Sequence, residues 1–400
     1  MPHMYYLTTA RIPGERAHSI QIIKTCDAVR HLGTDVVIVA PHRKNPFEEN
    51  VQNIRQFYDL RSEPRIIKLP TIDTFSRIHN EALSFLLINI TFFVSSLFFL
   101  FYIVNITRPK GTKFLFIREP LLLLLFTVSY PIHRLPIMYE VHDGFSRAVF
   151  RLSFRVCSSA IKAIITVNRN QKYGISKWMP SLEAKITVIP HAFDLGMFKG
   201  LPEDRMMLRR MLGLPVKPKI IMYAGQLSAW KKPEFIVNAI SKLGKKLKDQ
   251  LLLVFVGGNP EDIGRLRTHA EGLGIKNIYF SGFVPPSKVP LYLKSADVLV
   301  HYSPAMGSKL MSPSALKVFE YMAAKRPVLA PSGMEMIKDG INVLSFDPTS
   351  PEDLASKIEA LLGDPVMQEK LSINAFKDVM KYTYEKRAKK ILGTITNALK

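Results

Sequence analysis

Short, largely apolar runs recur along this chain between helix-like stretches, and they do so in both halves. MYYLTTA, DVVIVAP, RIIKLP, KFLFIRE, PIMYEVHD and AIITVN lie in the first half; KIIMYAG, LLLVFVGG, IYFSGF, VLVHYS, RPVLAP and NVLSF lie in the second. A strand buried on both faces reads as continuous apolar sequence, whereas a strand with one wet face alternates. Between the runs stand amphipathic stretches such as SIQIIKTCDAVRHLG, where Ile20, Ile23, Cys26, Ala28 and Leu32 make a helical stripe that Gly33 ends. Strands that alternate with helices build βαβ units and parallel sheets. A chain of 400 residues is also too long for one small core. The reading is α/β, with two doubly wound domains in tandem.

The stretch ITVIPHAFDLGMFKGLPEDRMMLRRMLGLPVKP is rich in Pro and Gly and reads as a hinge. The expected domains are then 1–195 and 196–375. The tail MQEKLSINAFKDVMKYTYEKRAKKILGTITNAL reads as two helices, with 376–400 expected to pack back on the N-terminal domain.

Charge narrows the partners. Lys and Arg number 55 against 33 Asp and Glu, leaving +22 spread over both halves, which favours anionic partners. Nucleic acid is set aside, because no basic run is interleaved with aromatics and no zinc or RNA-binding signature occurs. Acidic lipid headgroups and phosphorylated small molecules remain. Cys26 and Cys157 are the only cysteines, so neither a disulfide framework nor a thiolate metal site is expected. The opening residues MPHMYYLTTARIPGERAHS lack the apolar core of a signal peptide. A cytoplasmic location is the expectation.

One segment complicates a simple soluble reading. Residues 82–107, ALSFLLINITFFVSSLFFLFYIVNIT, carry no charge and are long enough to cross a bilayer. On a helical wheel Ser84, Thr91, Ser95 and Tyr102 fall on one line, and Asn89, Ser96 and Thr107 on a second. Three placements compete: spanning helix, buried core helix and helix lying in the membrane interface. Spanning fails if RIIKLP and KFLFIRE belong to one sheet, because a single crossing would separate them.

The chemistry concentrates in SPSALKVFEYMAAKRPVLAP, residues 312–331. In doubly wound domains ligands bind at the carboxyl ends of strands, where loops lead into helices, and this stretch follows VLVHYS there. Ser312 or Ser314 suits a helix cap and Pro313 the first turn, leaving free N–H groups for an anion. Lys317 one turn in suits a phosphate, and Glu320 one turn deeper suits a diol such as ribose. Spacing alone equally fits an ordinary i,i+3 ion pair on a half-exposed helix.

KVFEYMAAKRPVLAP closely resembles the nucleotide-binding helix and following strand of retaining glycosyltransferases of the GT-B fold, the large bacterial and archaeal family 4. AGQLSAWKKPEFIVNAI resembles that family's diphosphate clamp, FVGGNPEDIGRLRTHAEGLGIKNIYFSGFVPPSKV its base-recognition region, and ITVIPHAFDLGMF its hinge strand. ARIPGERAHSIQIIKTCDAVRHLG resembles its first loop and helix, and YEVHD the segment with a His near the transferred sugar. The resemblance implies two Rossmann-like domains facing each other across a cleft. It implies that Glu320 holds the ribose hydroxyls, that Lys231 neutralises the leaving diphosphate with help from Lys317, and that His142 faces the sugar. Backbone groups at Gly14, Gly225 and Gln226, and at Ser312, Pro313, Ser314 and Ala315, would complete the donor site, with Phe283 and Val284 beside the base.

Two positions depart from the family pattern. Its acidic residue eight positions before the helix Glu falls on Ser312, and its Arg after the strand-end Gly falls on Gln226. A subgroup reading Ser-Pro-x-Lys-x-Phe-Glu resembles this chain at the first, implying that Lys317 compensates. No Asp-x-Asp occurs, so a metal-free mechanism with no cofactor is expected. The expected substrates are a nucleotide sugar and a lipid-linked or cell-surface glycan, at an anionic membrane surface on the inner face. The alternatives are a nucleotide-sugar 2-epimerase on the same fold, for which Glu15, Glu119, Glu140 and Asp143 are the available carboxylates, and a non-catalytic nucleotide-sugar or glycan binder.

Overall fold

A computed structural model describes residues 2–14, 17–43, 51, 53–73, 81–103, 111–142, 147–304 and 316–399. The chain divides into two compact units, Met1–His191 with Tyr384–Lys400, and Ala192–Thr383.

The first unit is built on β1 (His3–Leu7), β2 (Asp35–Pro41), β3 (Arg65–Leu69), β4 (Lys113–Ile117), β5 (Ile137–Glu140), β6 (Ile161–Thr166) and β7 (Ile186–Val188). Their order in the sheet is β3-β2-β1-β4-β5-β6-β7, and all neighbours run parallel. The second unit holds β8 (Lys219–Ala224), β9 (Leu251–Val256), β10 (Ile278–Phe280), β11 (Val298–Val300), β12 (Val328–Pro331) and β13 (Leu344–Phe346). Their order is β10-β9-β8-β11-β12-β13, again all parallel. The fold is thus two α/β units with parallel sheets, as the apolar runs require. Strand order reverses between β1 and β4 in one sheet and between β8 and β11 in the other, and such switch points are where these folds open a crevice.

The stretch read as a hinge begins with β7, which pairs with β6. The units change over at 191/192 and 383/384 rather than at 195/196 and 375/376. The physical reason lies in the second unit, where Phe193 bridges Thr383 and its N–H donates to the Tyr382 carbonyl at 3.0 Å. Ala375 and Val379 are also buried in that unit's core. Helix Tyr384–Leu399 packs against helix Ala17–His31 and β6 of the first unit.

The apolar helix runs Glu81–Tyr102, between β3 and β4, which share one sheet. A single membrane crossing between them is incompatible with that sheet. Its burial is inverted: Ser84, Asn89 and Ser96 are fully buried, while Phe85, Ile90, Val94 and Phe101 are exposed and Phe98 is 73% exposed. Phe92 and Leu100 anchor it to the sheet. Ser95 donates to the Pro70 carbonyl at 2.6 Å, so part of its polar side faces the loop after β3. Residues 104–107 of the expected segment lie outside the described residues.

The second unit is pinned by a buried charge cluster. From helix Arg205–Met211, Arg209 is 2% exposed; its Nε donates to the Ser295 carbonyl, its Nη1 to those of Val216 and Pro218, and its Nη2 to Asp297. The same carboxylate accepts from Ile220 N–H at 2.7 Å and from Arg205. Asp297→Ala would leave a buried guanidinium without its carboxylate and should cost roughly 3–5 kcal/mol of unfolding free energy, read by urea titration. A loss below about 1 kcal/mol, the range of an exposed pair, would show that the cluster does not hold the unit.

Candidate functional site

Loops leaving the carboxyl ends of β8, β9 and β10 meet in the second unit. Gly225 N–H donates to the Val256 carbonyl at 2.8 Å, and Gly257 N–H to that of Gly282 at 3.0 Å. A Cβ on Gly257 would stand 2.5 Å from the Gly225 carbonyl oxygen, so glycine is required for this approach.

Lys317 lies in helix Leu316–Ala323. Its ammonium fills the space a side chain at Gly225 would take, since a Cβ there would be 1.5 Å from the Nζ. It also lies 5.2 Å from the centre of the Tyr223 ring. Tyr321 fixes the helix to the strand: its hydroxyl accepts from Ala224 N–H at 2.7 Å and donates to the Ala224 carbonyl at 3.1 Å. Lys317 and Glu320, both half-buried, make no ion pair with each other. The ordinary i,i+3 pair is therefore not what this helix carries.

Their titration shows the consequence. Burial, with Lys231 adding to it and Glu320 opposing, brings the Lys317 ammonium down to about 8. Burial, opposed by Lys317 and reinforced by Asp194, brings the Glu320 carboxyl up to about 7. Lys231 ends the short turn Ala229–Lys231 with its ammonium 4.0 Å from the Trp230 ring centre. Two cations thus act on one another at the switch point, which is the electrostatics of a site for a polyanion. Gln226 is exposed, and its carbonyl accepts from the Tyr223 hydroxyl at 3.1 Å. Phe283 is 73% exposed beside Gly282, an apolar platform, while Val284 packs partly into the core. Ser312, Pro313, Ser314 and Ala315 lie outside the described residues.

In the first unit, the residues expected in the site are already engaged. His142 accepts from Arg118 at Nδ1 (2.8 Å) and donates from Nε2 to Glu140 (2.5 Å), a neutral tautomer set by its neighbours. Burial and Arg118 bring its titration down to about 4. Burial disfavours the Glu140 carboxylate, yet Arg387, at 2.8 Å, with His142 and Arg118, holds it well below the usual range. A sugar contact from either His142 nitrogen therefore requires one of these bonds to open. The His191 ring lies 5.3 Å away. Glu119 accepts from Thr8 Oγ1 and Thr9 N–H at 2.8 and 2.9 Å. Gly14 N–H, expected to face a phosphate, donates to the Tyr58 hydroxyl at 2.6 Å. Glu15 and Asp143 lie outside the described residues.

Arg118, Arg387 and His191 carry no local motif, because their partners come from distant segments. Tyr321 as a clamp is equally invisible locally, whereas His301, directly after VLV, is a visible signal.

Residues 204–378 match the family of glycosyl transferases group 1. An uncharacterised glycosyltransferase of Methanocaldococcus jannaschii is 28% identical over 59% of this chain and 60% of its own length. A D-inositol 3-phosphate glycosyltransferase of Nocardioides sp. is 25% identical over 54% of this chain and 49% of its own. The chain thus spans about half to three fifths of the length of these curated relatives. Among solved structures, Anabaena HepE in complex with UDP and glucose superposes with a TM-score of 0.73 at 16% identity, covering 99% of both chains, a likeness of fold.

If Lys317 pairs with an anionic ligand, affinity for that ligand should hold below pH 8 and fall as the ammonium deprotonates above it, by up to tenfold per pH unit. Calorimetry with a nucleotide sugar, whose diphosphate diester does not titrate there, checks this. Lys317→Met should give a flat, weaker profile, and an unchanged inflection in that variant would assign it to another group.

Proposed function

We propose that this chain transfers a sugar from a nucleotide-sugar donor, with retention, to a glycan or glycolipid acceptor, supported by the match of residues 204–378 to glycosyl transferases group 1 and by the GT-B fold. The observation that carries the reading is the Lys317 ammonium seated against Gly225, with Lys231 acting on it. The structural neighbour bound to UDP and glucose favours a nucleoside diphosphate donor. In the transfer, the bond between the sugar's anomeric carbon and the diphosphate oxygen breaks while the acceptor hydroxyl attacks from the same face. The diphosphate gains a negative charge as the bond breaks, and its departing oxygen takes up the hydroxyl proton. Lys231 and Lys317 neutralise that charge, the work a metal ion performs in other transferases, so no cofactor is invoked. Glu320 receives the ribose hydroxyls. An epimerase reading needs free acid and base groups near the sugar, and of its four carboxylates the two among the described residues, Glu119 and Glu140, are buried and bonded.

The acceptor reading rests on the first unit's surface. Helices Glu81–Tyr102, Pro120–Val128 and Arg147–Cys157 cover one face of the sheet through a shared core that includes Phe92, Leu123 and Phe150. Outward they expose Phe98, Phe101, Val128 and Leu152, with Arg151 and Arg155 beside them. Apolar rings with flanking cations suit an anionic bilayer, each cation adding about 1 kcal/mol near the surface. The enzyme would then sit peripherally on the cytoplasmic leaflet, elongating a cell-surface polysaccharide or its lipid carrier.

Lys231→Ala should lower turnover more than donor affinity, because diphosphate charge peaks as the bond breaks. Glu320→Ala should instead weaken donor binding by about 1–3 kcal/mol. Steady-state kinetics and calorimetry separate the two, activity should persist in EDTA, and nucleotide release without any acceptor would favour hydrolysis or epimerisation over transfer. For the membrane, Phe98→Glu should release the protein from vesicles rich in anionic lipid. Glu63→Cys and Thr112→Cys, both at exposed positions, should label from the cytoplasmic side, and labelling from opposite sides would overturn peripheral attachment.

A further inference from the structure

His301 directly follows β11 at the carboxyl edge of the second sheet, and only 4% of it is exposed. Neither ring nitrogen has a hydrogen-bond partner among the described residues. Buried polar groups in folded proteins are paired almost without exception, so an orphaned imidazole calls for a partner that arrives from outside.

Three observations locate where that partner comes from. Side chains alternate along β11: Val298, Val300 and Tyr302 enter one core cluster, while Leu299 enters the other, which also holds Val318, Phe319 and Tyr321. His301 therefore lies on the face of the sheet covered by the Lys317 helix, and its ring stands edge-on to Tyr321 at 6.3 Å. The β11–β8 register aligns Val298 with Ile221 and Leu299 with Met222, which carries His301 level with Ala224, one residue before Gly225. That is the switch point of the sheet, beside the void that Lys317 fills.

Building on the donor-site reading above, we propose that His301 is a donor-binding residue whose ring N–H hydrogen-bonds a phosphate oxygen of the bound nucleoside diphosphate. A neutral ring suits the role. Burial first, then the charges of Lys317 and Lys231, bring its titration down to about 3, so it carries one N–H donor and adds no third positive charge to the two lysines. The lysines supply the charge and the imidazole supplies direction.

A residue whose partner is the ligand should weaken the empty protein and strengthen the loaded one. His301→Leu in the full chain should therefore raise the melting temperature of the ligand-free protein. The same variant should bind the best of UDP, GDP, ADP and TDP about tenfold more weakly, one charge-assisted hydrogen bond's worth. Affinity for the matching nucleoside, which lacks phosphate, should not change, and His301→Asn should recover part of the loss. Inorganic pyrophosphate should show the same ranking of variants. A lower melting temperature with undiminished diphosphate affinity would make His301 structural and overturn the proposal, as would equal loss for nucleoside and diphosphate. If His301→Leu does not fold, the imidazole 15N signals of the wild type decide: a shift of the His301 pair on adding the diphosphate supports the contact, and no shift removes it. Failure of the wild type to bind any of the five phosphate probes would sink the donor site itself, whereas normal wild-type binding with an indifferent His301→Leu sinks only the role of His301.

Discussion

Parallel pairing sends the carboxyl end of every strand to the same edge of its sheet, so the loops after β8, β9 and β10 have to gather there. Where strand order reverses, successive crossover helices part to opposite faces and leave room between them. In the second unit that room lies between β8 and β11. Gly225 and Gly257 let the backbones close up, Tyr321 ties the Lys317 helix to the end of β8, and the ammonium takes the place of a missing side chain. The position of every candidate binding group follows from the direction of the strands.

The two units treat buried charge in opposite ways. In the first, Glu140 has Arg387 and His142, His142 has Arg118 as well, and Glu119 accepts from two threonines through one of its oxygens. In the second, Asp297 and Arg209 are answered in the same manner at the amino edge of the sheet. At the carboxyl edge Lys317 and Lys231 repel each other and Lys317 does not reach Glu320. Like charges brought together out of water become more favourable when an anion enters, the property expected of an anion site.

Much of this was legible in the sequence, and the exceptions share a cause. Apolar runs such as DVVIVAP and KIIMYAG announced buried parallel strands because a strand covered on both faces leaves no alternative composition. KVFEYM announced a helix at a strand's carboxyl end. The side that residues 82–103 turn outward was not legible, because both the polar and the apolar stripes could face protein. The sheet decided it by burying Ser84, Asn89 and Ser96. The i,i+3 spacing of Lys317 and Glu320 likewise fits an ion pair or two separate contacts, and the space at Gly225, set by a different strand, decided between them. ITV was read as hinge because three residues carry little periodicity, yet the edge of β6 recruits them as β7. Local sequence announces elements, and contacts between distant segments assign their partners.

The first unit is assembled from two separated pieces of chain, and a ribosome delivers them in order. Residues up to His191 emerge first, then the whole second unit, and only afterwards the helix beginning at Tyr384. Until Arg387 arrives, Glu140 and the carbonyls of Ile189 and Pro190 lack the guanidinium that joins them. The nascent first unit thus waits, its cationic keystone missing, while its downstream neighbour is already free to fold. Any chain released before Tyr384 would carry a finished second unit tethered to an unfinished first one, and proteolytic surveillance would meet the amino-terminal portion as the susceptible half.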